Sequence, residues 1–358
     1  MIEEIDEIIK EEILVKNNKK VKEETLEEYL SGITKDELAR LAFFQAFADQ
    51  DYEDIFKIKN LKKMSKKDII NYITDNLDKI LKCFIKVMSE NCLIQLKKII
   101  SKQNDINYDM SKLNLSFHTL GFLKSFSLAK VEFNKQTEVL KIYFPKEFVT
   151  ILEKCLTDVN ILDENRKFNK VCDYVESTLE IYGIIPLSQI HEIFERQLLK
   201  IELEQLEHII EIKNIIDDVF VLCNYENDKL ICEMDFTDKD DAINFYEKQK
   251  GNYKKYGKKT LEMIKNDTYV ETLKSYKKFV NYLCRNFDDV SEDIEEIKNF
   301  IVLDYINSAQ ISKEIADINF KNNIDKMFDI PENEKEKLRM LVSDIYDEYP
   351  KWRKRGNV

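Results

Sequence analysis

The chain has 358 residues, of which six are glycine and four proline, so only ten positions carry the residues that punctuate a backbone. Average usage of the two together is roughly 12%, and their scarcity disfavours turn-dense sandwiches and barrels, glycine-rich phosphate cradles and flexible linkers. Lys and Arg number 56 against 68 Asp and Glu, a net charge of −12, which for the chain as a whole repels nucleic acid and anionic membrane.

Met1 to Glu12 carries Glu3, Glu4, Asp6, Glu7, Glu11 and Glu12 against Lys10, without the basic start and apolar stretch of a signal peptide. No run reaches the roughly 18 apolar residues that span a bilayer, so no membrane partner is expected and the reading is cytoplasmic. Ile2, Ile5, Ile8, Ile9 and Ile13 form one helical stripe, and Leu26 and Leu30 belong to a second, short helix. Thr34 and Glu37 have capping-box spacing before Leu38, Leu41 and Ala42, and Ser65 with Asp68 repeats the device before Ile69, Ile70 and Ile73.

Thr34-Lys35-Asp36-Glu37-Leu38, followed by Leu61-Lys62-Lys63-Met64-Ser65-Lys66-Lys67-Asp68-Ile69-Ile70, resembles the Rho termination factor amino-terminal-like module and its SAP-type relatives. There "S/T-x-x-E-L" opens one helix and a lysine-rich cap opens the next. The resemblance implies a small helical unit that associates with nucleic acid or serves as an adaptor in larger bacterial proteins. The family's brief Gly-containing turn is replaced here by Phe47 to Lys59. The ending Tyr349-Pro350-Lys351-Trp352-Arg353-Lys354-Arg355-Gly356 resembles the close of some low-GC bacterial hypothetical proteins that begin with this module.

Beyond Asn91 a second grammar appears twice. Cys92–Ile100 and Leu113–Lys124 read as helices, Leu128–Phe133 and Val139–Phe144 alternate as a hairpin, and Pro145 opens another helix. Val171–Tyr182 then reads as a helix stopped by Gly183, Pro186 starts Leu187–Phe194, Glu202–Ile212 follows, and Val219–Cys223 with Lys229–Cys232 flank the turn Asn224–Asp228. Helices followed by one hairpin are the order of a winged helix. The expected fold is therefore mainly α, with helical bundle modules and two winged-helix-like units of helices plus a small β-hairpin. Its segments are 1–88, 89–160, 161–235 and 236–358, the last helical over Leu273–Leu283, Ile294–Ile306 and Glu334–Tyr346.

The chemistry-bearing motifs are basic clusters. Lys248 to Lys259 holds six lysines and no acid; Lys254, Lys255, Lys258 and Lys259 suit phosphates, and Tyr253 and Tyr256 suit stacking on bases. The other reading of this stretch is a solvated, mobile loop that offsets the acids of Asp235–Asp241. Lys62, Lys63, Lys66 and Lys67, with Lys57 and Lys59 before them, form a second cluster on the Rho-like motif. Lys351, Arg353, Lys354 and Arg355 surround the only tryptophan, Trp352, in a stretch that is either a tail or folds back.

No nucleotide-binding glycine motif, nucleophile elbow or H-E-x-x-H is present. Asp235, Asp238, Asp240 and Asp241 lack EF-hand spacing. The seven cysteines are dispersed, as small core residues in a reducing compartment would be; Cys223 and Cys232 near His208 lack a fourth ligand. His191 and His208 lie beside isoleucines in expected helices. The reading is a non-enzymatic protein without cofactor that contacts DNA or RNA through its lysines; the alternative is a protein–protein adaptor.

Overall fold

A computed structural model describes residues 24–43, 63–103, 108–134, 137, 139–197, 200–236, 238–287 and 293–358. The chain is mainly helical, with two small antiparallel sheets. It divides into two compact units, 1–170 and 171–358. Among the described residues no helix is long and apolar enough to cross a membrane.

The first unit holds α1 (Leu26–Gly32), α2 (Lys35–Phe43), α3 (Lys66–Val87), α4 (Glu90–Ile100), α5 (Phe117–Ser125), the hairpin β1 (Lys130–Asn134) and β2 (Val139–Tyr143), α6 (Lys146–Cys155) and the start of α7 (Val159–Tyr182). Both expected caps are made: Glu37 N donates to Thr34 Oγ1 at 3.2 Å and Thr34 N to Glu37 Oε2 at 2.6 Å, while Asp68 N donates to Ser65 Oγ at 3.2 Å. Ile69, Ile73, Leu77, Ile80 and Phe84 recur every three or four residues and bury one face of α3. Phe84 meets Phe122 and Phe126 at centroid distances of 5.9 and 5.7 Å. The end of α3 would leave carbonyls orphaned, and Asn165 supplies donors to Ile85 O and Met88 O at 2.8 and 2.7 Å. The Ile2–Ile13 stripe, Lys57, Lys59, Lys62 and the segment Phe47 to Lys59 lie outside the described residues.

In the second unit, the end of α7 leads into β3 (Ile184–Pro186), α8 (Leu187–Gln197), α9 (Leu203–Asp217), β4 (Val221–Tyr225) and β5 (Asp228–Cys232). The sheet runs β3-β5-β4, with Ile184 and Val221 both opposite Cys232. Two details differ from the expected pattern. β3 was not expected, because three residues leave no room for alternation, and the hairpin turn is the two-residue Glu226-Asn227, with Tyr225 opposite Asp228. Helices α10 (Lys239–Lys248), α11 (Lys258–Lys265), α12 (Lys274–Asn286), α13 (Ile294–Ile297), α14 (Asp304–Ile311), α15 (Lys313–Met327) and α16 (Glu332–Glu348) complete the unit. Between α13 and α14 lies a π-helical turn, Lys298–Leu303. It buries Lys298, whose Nζ is held by Glu271 and Glu295 at 2.8 and 2.7 Å. Tyr256, Leu261 and Ile264 pack into one core with Val175, Phe194 and Ile231, so that core continues past residue 235.

Candidate functional site

The lysine-rich stretch 248–259 is not one loop. Lys248 ends α10, Lys258 and Lys259 open α11, and the residues between are laced to the carboxy-terminal segment. Lys250 N donates to Arg353 O at 2.9 Å, Lys254 N to Arg355 O at 3.1 Å and Asn357 Nδ2 to Asn252 O at 2.9 Å. Gln249 Nε2 bridges Tyr182 O and Trp352 O at 2.9 and 2.8 Å. Trp352 is folded back and buried, its Nε1 donating to Glu180 O at 2.8 Å. Two basic clusters far apart in sequence are thus neighbours.

They border a cleft of about 770 Å³. Across it runs a continuous ladder of rings and one guanidinium. Tyr225 meets Tyr246 edge-on at 5.3 Å, and Arg355 lies 5.6 Å from Tyr246 and 4.9 Å from Tyr253. Tyr253 in turn meets Tyr182 at 5.4 Å. Arg355 Nη1 donates to Gly251 O at 3.2 Å, its Nε has no hydrogen-bond partner, and the side chain has no ion-pair partner among the described residues. Two nearby rings hold the guanidinium without neutralising it. Lys254 stands beside it, exposed and without a carboxylate partner among the described residues. The other cations are compensated: Arg196 and Lys255 reach Glu192 at 2.9 and 3.7 Å. A hydrogen bond from Gln189 holds the Glu192 carboxyl below its ordinary range, with Arg196 and Lys255 adding to it.

The expected site residues divide as follows. Tyr253 lines the cleft half-buried, and Lys254 and Lys255 line it with exposed side chains. Lys258 pairs with Glu262 at 3.7 Å, and Lys259 is exposed on α11. Tyr256 has its ring buried in the core, with Lys254 Nζ 4.9 Å from its centroid and its hydroxyl donating to Gly356 O at 2.6 Å. In the first unit Lys63, Lys66 and Lys67 are exposed where α3 begins, and Lys66 Nζ donates to Ser31 O at 2.7 Å.

Sequence reasoning missed Tyr182, Tyr225 and Tyr246, each in a different element, because only the folded chain stacks them. It also missed a second cavity, of about 610 Å³, lined by Glu176, Glu180, Asp218, Glu233, Asp235 and Asp267 beside Lys265. In the first unit Cys92 Sγ lies 3.1 Å from His118 Nδ1 and accepts from Thr119 Oγ1 at 3.3 Å. Burial alone would raise this thiol, but the hydrogen bonds of His118, Ser89 and Thr119 bring it below its ordinary value. Six cysteines are buried and Cys284 is exposed. Among the described residues no group of three His, Cys, Asp or Glu is placed to hold a metal. Compared with protein-family models, curated proteins and solved structures, the chain matches none.

Proposed function

We propose that this is a non-enzymatic, cytoplasmic nucleic-acid-associated protein whose second unit contacts phosphates from the tyrosine-lined cleft. The observation that carries the reading is Arg355, a cation within 5.6 Å of the Tyr246 ring and 4.9 Å of the Tyr253 ring and uncompensated by any described carboxylate. Arginine fixed in one plane recognises phosphate oxygens in pairs, and Lys254 adds a second charge beside it. The order helix, strand, helix, helix, hairpin, with a sheet of order β3-β5-β4, supports a winged-helix reading of residues 171–232. Exposed Lys63, Lys66 and Lys67, on the segment that resembles the Rho-like module, supply a further phosphate surface.

In winged helices the helix before the hairpin commonly enters the major groove. Here that helix, α9, carries Glu204, Glu207 and Glu211 against Lys213, and Lys229 of the hairpin is occupied by Glu207 and Glu211 at 2.5 and 2.6 Å. Such a face repels a duplex, so the reading favours single strands in the cleft. The same acidic face, with Ile215 exposed on it, favours a protein partner as the second reading. A mobility-shift titration with single- and double-stranded DNA and RNA tests the choice. Binding that weakens about sevenfold from about 50 to 200 mM salt, and weakens again in Lys254→Gln, is expected. No binding to any strand at the lower salt sinks the nucleic-acid reading and leaves the adaptor.

A further inference from the structure

We infer that the cleft holds one nucleoside monophosphate unit, its phosphate on Arg355 and Lys254 and its sugar hydroxyls towards Asp228 and Glu226. The inference rests on the nucleic-acid reading and narrows it to one nucleotide, either free or at the end of a strand.

Size is the first ground. About 770 Å³ is the scale of a small-molecule site. Charge distribution is the second. The uncompensated cations Lys254 and Arg355 come from the two laced segments. The hairpin turn brings Glu226 and Asp228 to the same cleft with no cation paired to either among the described residues. Asp228 accepts from Ser188 Oγ and, at 2.7 Å, from Lys229 N, and its carboxylate keeps lone pairs to spare. A phosphodiester chain running through would set its next phosphate against these carboxylates. A single phosphate followed by hydroxyls suits a lining that holds both kinds of group, because carboxylates accept from hydroxyls and repel phosphates. The tyrosine ladder is the third ground. Tyr225, Tyr246 and Tyr253 line the cleft, each ring held by its neighbour, and so offer a base a firm aromatic wall.

The test is calorimetric titration of the full chain with adenosine 5′-monophosphate, its 2′-deoxy analogue and inorganic phosphate. Pentaadenylate RNA with and without a 5′-phosphate completes the set. The 5′-phosphorylated strand is expected to bind about tenfold more tightly than the hydroxyl-ended one, and adenosine monophosphate to compete with it. Arg355→Lys and Lys254→Gln should each erase that preference. The Lys254 side chain is exposed and makes no hydrogen bond among the described residues; its one contact is Nζ 4.9 Å from the centroid of the Tyr256 ring, so its variant is expected to keep the fold. Equal affinity for both strand ends, unchanged in the two variants, overturns the inference and leaves nucleic-acid binding standing. Affinity for the mononucleotide with none for either strand supports the inference and removes the proposed function. Failure of all five ligands overturns both.

Discussion

Trp352 stands so close to Gly183 that a Cβ on the glycine would lie 2.3 Å from the ring. Gly183 also ends α7 at φ +69°, where an L side chain costs about 1–2 kcal/mol, and overpacking a core adds about 1–3 kcal/mol. Gly183→Ala is therefore expected to destabilise by about 3 kcal/mol, measured by urea denaturation. Gly257→Ala, with φ −77° and open space around the added Cβ, should shift stability by less than about 0.5 kcal/mol. The helix stop at Gly183 was legible, because a lone glycine after an amphipathic run is a cap signal; its tryptophan partner, at the far end of the chain, was not. The acids of the second cavity make a pH prediction. Burial pushes Glu180 up to about 7, and burial together with the Glu180 charge pushes Glu233 up to about 8. An unfolded glutamate titrates near about 4.3, so between roughly pH 4.5 and 8 the native chain holds protons that the unfolded chain has released. Stability contributed by these groups is full at the acid end of that window and declines as pH rises through it. Glu233→Gln should thus match the parent near pH 5 and exceed it near pH 8 by on the order of 2 kcal/mol or more. Parallel stability–pH curves for the two proteins would refute this.

At the scale of elements, the carboxy-terminal segment works as a clasp. It contributes the Arg353 and Arg355 carbonyls to the amides of Lys250 and Lys254, and the Gly356 carbonyl to Tyr256. A chain ending at Tyr349 loses these acceptors together with Trp352, and residues 249–257 keep only partners such as Tyr182. Hydrogen exchange is the measurement: the Lys250 and Lys254 amides should be protected in the full chain and exchange at least about tenfold faster in the shortened one. Protection that survives truncation would mean that the loop holds itself. Legibility at this scale followed pattern strength. The caps at Thr34 and Ser65 and both hairpins were readable, because capping spacing and period-2 alternation are local signals. α15 was not readable: it buries only Ala316, Phe320 and Ile324 and leaves Ile315 and Ile318 exposed, so its apolar residues mark no single face. The candidate site was half-legible for the same reason. Its lysines form a run in sequence, whereas its tyrosines come from α7, β4, α10 and the loop before α11.

At the scale of the whole molecule, a net charge of −12 sets the terms on which any polyanion binds. A protein that tracked a phosphate backbone would need many cations in a row, and here three of the lysines near the cleft are already answered by carboxylates: Lys255 by Glu192, Lys258 by Glu262 and Lys229 by Glu207 and Glu211. Only two uncompensated cations, Lys254 and Arg355, line the cleft among the described residues. Each phosphate neutralised on a single strand contributes about −0.7 to the slope of log K against log salt. The two charges of one terminal phosphate, answered by Lys254 and Arg355, give a slope of about −1.4, or about a sevenfold loss of affinity over a fourfold rise in salt. Lys254→Gln should flatten the slope by about half, while Lys66→Gln with Lys67→Gln should change it only if the first unit also touches the strand. A slope steeper than about −4 would mean contact with six or more phosphates. That is more cations than the cleft supplies, and the cleft would not be the principal site.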